Sequence, residues 1–159
     1  MDSASSGATR MAAVALAATA VLGIAAEPVS ASSSVAAGTG GTTLTTYYPP
    51  TNCSTSWNFT DRWGRRGTFK CSSHVMLINW WGSGRLEYFG VAPNRTIWHS
   101  WSTSGWVEMP NNGRADDVDG VQTPNSTTRS VWVYAAGSGV WSSTDYGDGY
   151  SWRAWKFLF

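Results

Sequence analysis

The sequence predicts an all-β fold, and three observations carry that prediction. Outside an N-terminal apolar run, no stretch sustains a helical period. From Val75 onward, short runs of β-branched and aromatic residues alternate with Gly, Pro, Asn and Ser turn signals. The stretch 75–155 also repeats itself: Leu86 corresponds to Val131, Trp98 to Trp141 and Trp106 to Trp152, at steps of 45, 43 and 46 residues. A step of that size fits a four-stranded propeller blade of about 40–45 residues. The expected architecture is two four-stranded antiparallel propeller blades per chain, closing a propeller by oligomerisation. A compact two-sheet β-sandwich monomer is the alternative, because two blades cannot close a ring alone and each must cover its sheet faces somehow.

Residues 1–31 read as a secretory signal peptide. Arg10 precedes an apolar run of Ala, Val and Leu that is short for a membrane span, and Val29-Ser30-Ala31 has the small-x-small form of a cleavage site. The expectation is a secreted, extracellular protein with no stable membrane insertion after cleavage. Residues 32–46 are rich in Ser, Thr, Gly and Ala and read as a flexible lead-in. Residues 47–72 hold both cysteines, Cys53 and Cys71, 18 positions apart. In an oxidising compartment they are expected to pair, stapling a hairpin or loop outside the repeat and adding about 3 kcal/mol in the chain-entropy model. Blade 1 is expected over 73–117, with strands at 75–81, 86–92, 96–102 and 106–109. Blade 2 follows over 118–159, with strands at 118–123, 129–136, 140–144 and 151–157.

Composition narrows the function. A net charge of +1 argues against nucleic acid or an anionic membrane as partner, since both need a clustered basic face. The one tight basic group, Arg62, Arg65, Arg66 and Lys70, reads as a solvated turn. Eleven Trp lie between Trp57 and Trp155. Each indole buries a large area and still wants a partner for its N–H. Packing between blades accounts for many of them, but so few strands cannot bury them all.

The repeat carries a resemblance. Trp81, Gly82, Arg85, Leu86, Glu87 and Phe89, then Ile97, Trp98, His99 and Trp101, then Gly105 and Trp106, resemble one blade of the tectonin-like and fucose-binding β-propeller lectins. Those blades run W-G-x-x-R-L-[DE]-x-F, then aliphatic-aromatic-His-x-W, then G-W. The second copy keeps Val131, Val133, Val140, Trp141, Trp152 and Trp155. The resemblance implies a secreted bacterial lectin of two blades per chain, with a carbohydrate partner and a homo-oligomer, a trimer closing six blades. The positions that hold fucose in that group are not matched. Glu87 and Trp132 stand where an Arg is expected, and Trp98 and Trp141 where a carboxylate is expected, so the identity of the sugar does not carry over.

Sugar binding needs aromatic faces for the C–H side of the ring and a few polar groups for its hydroxyls. Arg85, Glu87, Trp98, His99, Trp101, Trp106, Trp141 and Trp152 are the expected ligand-binding set, weighted toward the first copy. Alternation along 96–102 sends Ile97, His99 and Trp101 to one face and Trp98, Ser100 and Ser102 to the other. His99 is read as a structural hydrogen-bonding residue. Asp116-Asp117-Val118-Asp119-Gly120 is read as an inter-blade turn whose carboxylates bind backbone N–H groups. It lacks the calcium-loop spacing, and neighbouring carboxylates on a strand cannot face each other across a cleft. No catalytic motif, metal set or cofactor loop is found, and the expectation is a non-enzymatic protein without cofactor. The competing expectation is a secreted structural or protein-binding module without sugar affinity.

Overall fold

A computed structural model describes residues 31–36, 42–149 and 151–159. The expected signal peptide lies outside the described residues apart from Ala31. The described chain is all-β. Its strands are β1 (Ala31–Ala36), β2 (Thr43–Tyr47), β3 (Ser56–Thr60), β4 (Arg66–Lys70), β5 (Val75–Trp80), β6 (Arg85–Val91), β7 (Ile97–Trp101), β8 (Ser104–Glu108), β9 (Asp117–Gln122), β10 (Arg129–Ala135), β11 (Gly139–Asp145) and β12 (Lys156–Phe157). They form three antiparallel sheets, none closed into a barrel. One is six-stranded in the order β1-β2-β5-β6-β7-β8, one four-stranded in the order β12-β11-β10-β9, and one is the hairpin β3-β4.

The two halves of the repeat form consecutive antiparallel meanders, β5–β8 and β9–β12. The first is larger than expected. Residues 32–46, read as a flexible lead-in, include β2, which pairs from Thr43↔Asn79 to Tyr47↔Val75, and β1 pairs with β2 in turn. Composition misled here because Thr-rich segments can add to an existing sheet edge through the backbone alone, with no apolar pattern of their own. The last expected strand, 151–157, pairs in ladder fashion only at Lys156–Phe157. Upstream of it, Arg153 bonds to β11 through its N–H to Thr144 O and its carbonyl to Ser143 Oγ.

The sheets stack in three layers, the face-to-face arrangement of the sandwich alternative. Alternation along β5 divides the core: Val75 and Leu77 face the hairpin, while Met76, Ile78 and Trp80 face the four-stranded sheet. The hairpin layer is aromatic. Trp57, Phe59, Phe69 and Tyr88 are buried there, with Trp63, Trp98 and Trp106 packed around them. Phe69 fits because Gly67 and Gly90 flank its ring. A Cβ would sit 2.6 Å from it at Gly67 and 2.7 Å at Gly90, closer than carbon atoms approach. The Cys53–Cys71 bridge closes this layer with 5.5 Å between Cα atoms, as expected. Such a bridge suits an oxidising compartment. Burial, and Tyr47 beside it, push the Tyr88 phenol up to about 12.

The second interface is mainly aliphatic in its interior. Phe89, Val91 and Ile97 of the six-stranded sheet meet Val118, Val121, Val131 and Val133 of the four-stranded sheet. The acidic segment ties the layers together as an inter-sheet turn. Asp116 accepts from Lys70 Nζ of the hairpin at 2.7 Å, from Arg95 at 2.9 Å and from the Ala136 N–H at 2.8 Å. These bonds hold its carboxyl below the usual carboxylate range, the Lys70 bond most and the Ala136 N–H next. Asp117 Oδ1 accepts the N–H groups of His74 and Val118, and its Oδ2 lies 2.9 Å from His74 Nδ1.

Candidate functional site

A cleft of about 610 Å³ opens at one end of the interface between the two larger sheets. It lies where β6 begins and β7 ends. The six-stranded sheet supplies Arg85, Leu86, Glu87, His99, Trp101 and Ser102. Arg129 and Asp145 come from the four-stranded sheet, and Ser151 and Trp152 from the segment before β12. The hairpin turn adds Arg62 and Trp63. Buried Asp61 shapes that turn: its Oδ1 accepts the N–H groups of Trp63 and Arg65, each at 2.9 Å, and its Oδ2 accepts Ser100 Oγ at 2.7 Å. Arg65 reinforces it by donating to the carbonyls of Trp101 and Ser102.

The floor of the cleft is a buried ionic network. Arg129 and Asp145 are direct cross-strand neighbours on β10 and β11, and Arg129 donates to Asp145 Oδ2 through Nε at 2.9 Å. Through Nη1 the same guanidinium reaches across to Glu87 Oε2 on the other sheet. Glu87 Oε2 also accepts Trp80 Nε1 at 2.9 Å, and Oε1 accepts His99 Nδ1 at 2.7 Å. A carboxylate oxygen accepts, so the shared proton belongs to Nδ1 of the imidazole. Asp145 Oδ1 accepts the Gly147 N–H at 2.8 Å. Arg129 Cζ lies 4.8 Å from the Trp152 ring centroid and 5.3 Å from that of Trp80. Buried charges are costly unless paired and hydrogen-bonded. Here each carboxylate oxygen has a donor, and the cation has two carboxylates and two indole faces.

The walls differ from the floor. Trp101 is half-buried, and His99 lies 4.8 Å from it, centroid to centroid. His99 also stacks on Phe89 at 5.8 Å. Arg62 and Arg85 are exposed at the mouth. Arg85 Cζ lies 5.8 Å from the Trp81 ring centroid.

Of the eight residues expected to bind ligand, five line this cleft: Arg85, Glu87, His99, Trp101 and Trp152. The alternation predicted for 96–102 holds, with Ile97 and His99 on the inter-sheet side and Trp98 and Ser100 toward the hairpin. It is this alternation that separates Trp98 from the cleft. Trp98 donates to Thr96 Oγ1 at 2.6 Å. Trp106 packs 4.6 Å from Phe69 and donates to Arg65 O at 3.2 Å. Trp141 stands at the other end of the inter-sheet interface, in a second cavity of about 340 Å³ shared with Trp155 and Arg95. Sequence reasoning missed Arg62, Trp63, Arg129 and Asp145. A signal for Arg129 was available: it falls in phase with Val131 and Val133, so it points inward and must meet a buried partner.

Comparison with protein-family models, with curated proteins and with solved structures finds no match for this chain.

Proposed function

We propose that this chain binds carbohydrate, without chemical turnover, in the cleft between its two larger sheets. One observation carries the reading: a single cleft joins the half-buried indoles of Trp63 and Trp101 to Arg62, Arg85, Ser102 and Ser151, over a floor that includes buried Trp152. Indoles stack on the C–H face of a pyranose, and the polar groups meet its hydroxyls. Non-catalytic binding is supported by the state of the two carboxylates. Glu87 and Asp145 are both engaged by Arg129 and further donors, so they shape the floor instead of reaching for substrate.

The reading includes secretion, supported by the N-terminal apolar run and the disulfide. It also includes a homo-oligomer, a trimer by the lectin resemblance. The outer face of the four-stranded sheet, where Tyr134 is exposed and Trp132 half-buried, is the surface a neighbouring copy covers. That same aromatic face favours the competing reading of a protein-binding module. A glycan array on the purified mature protein separates them: binding to a defined group of sugars is expected, and silence across the array at high protein concentration favours the module. Native mass spectrometry tests assembly, with a trimer expected and a clean monomer overturning it.

A further inference from the structure

The rim and the floor of the cleft carry charge differently. On the floor, Arg129 is matched by Glu87 and Asp145, whose oxygens all turn inward to donors. At the rim stand Arg62 and Arg85, both exposed, and among the described residues neither guanidinium has a carboxylate within ion-pair distance. The cleft wall contains no further Asp or Glu. The basic cluster of the hairpin therefore divides. Lys70 is spent on Asp116 and Arg65 on two backbone carbonyls, while Arg62 is delivered to the mouth by the Asp61 turn.

The geometry points to an anionic saccharide as the ligand: a sugar whose carboxylate or sulfate group is met by Arg62 and Arg85 while its ring stacks on the indoles below. This rests on the carbohydrate reading above and narrows it. Guanidinium groups present paired N–H donors that match an oxyanion's geometry, and such charge-assisted bonds are about twice as strong as neutral ones. The buried carboxylates do not oppose the approach of an anion strongly, because each is already compensated by Arg129 and by N–H donors. Exposed guanidiniums also make the interaction sensitive to ionic strength, since charges in solvent are screened over about 10 Å at 0.1 M salt.

The test is titration calorimetry on the full mature protein. It uses size-matched oligosaccharides of three kinds: neutral, uronate-bearing and sulfated, with polyglutamate as a non-sugar polyanion. The expected result is binding of at least one anionic sugar about tenfold tighter than the neutral ones. That preference weakens as salt rises and is lost in R62Q/R85Q, whose near-ultraviolet circular dichroism stays native because both side chains are exposed. The uronate and sulfate arms identify which oxyanion is read. Equal affinity for neutral and anionic sugars, or an unchanged preference in R62Q/R85Q, overturns the anionic assignment and leaves the carbohydrate reading standing. Polyglutamate binding as tightly as the sugars overturns it as well, by showing attraction to any polyanion. No binding to any saccharide overturns both.

Discussion

The six-stranded sheet is covered on both faces, and the two coverings solve the same problem differently. On the hairpin side, Trp98 and Trp106 join Trp57, Phe59, Phe69 and Tyr88 in a tightly filled aromatic layer closed by a disulfide. Across the other face, Trp141 and Trp152, their counterparts in the repeat, meet an interface that is aliphatic in its interior, ionic at one end, and open there as a cleft. Equivalent positions in a repeat therefore do not have equivalent roles. A short two-stranded hairpin can be drawn down onto the sheet by glycine and a covalent staple. A four-stranded sheet that carries Arg129 at the start of its interior strand β10 must stop where that guanidinium meets Glu87, and the space beyond becomes a cavity.

Removing the ionic pillar is the most severe way to break this contrast. Arg129→Ala leaves Glu87 and Asp145 buried without their cation, and urea unfolding should show a loss of about 3–5 kcal/mol. A loss well below that range would mean that water enters and replaces the guanidinium. Next in size is the covalent staple. Reduction, or Cys53→Ser, should lower stability by about 3 kcal/mol in the chain-entropy model, while the far-ultraviolet spectrum of the remaining sheets persists.

Paired tryptophan substitutions sharpen the comparison. Trp101→Ala, in the cleft, should weaken saccharide affinity by about tenfold or more, as truncating an aromatic anchor does, with little change in the urea midpoint. Trp98→Ala, on the opposite face of the same strand, should do the reverse, lowering the midpoint and leaving affinity intact. If the two variants behave alike, the division of the strand between site and core is wrong.

The smallest effect concerns Asp116, which touches all three layers. Its carboxyl titrates below the ordinary value of 3.8, so the folded state binds that proton less readily than the unfolded chain. Its contribution is fully present above the ordinary value and is lost as pH falls through the lowered one. Asp116→Asn should therefore lower stability modestly at neutral pH, with the difference from the unaltered protein shrinking below about pH 4 so that the acid limb of the profile is flatter.

Much of this was legible in the sequence. Turn residues and apolar alternation located seven of the eight strands of the two meanders to within a few residues, and overextended the last, which forms only at Lys156–Phe157. The spacing of the two cysteines suggested their bridge, and alternation placed His99 and Trp101 together. These features are local: they depend on side-chain period and turn chemistry within about ten residues. The pairing of β2 onto β5 was not legible, because edge addition uses backbone groups that every residue carries. Nor was the full site. Arg62, Glu87, Arg129 and Asp145 are scattered over more than eighty positions, and nothing in their spacing announces that they meet.

The sequence by itself determined the all-β class, the doubled meander, the Cys53–Cys71 staple and the two faces of the strand at 96–102, because a pleated backbone assigns faces by counting. Only the tertiary structure decided which apolar face receives which layer. It thereby decided that Trp98 and Trp106 are packing residues while Trp101 and Trp152 border a cleft. The physical reason is that a buried guanidinium is tolerable only where carboxylates from both sheets converge on it, and that convergence exists only once the sheets have stacked.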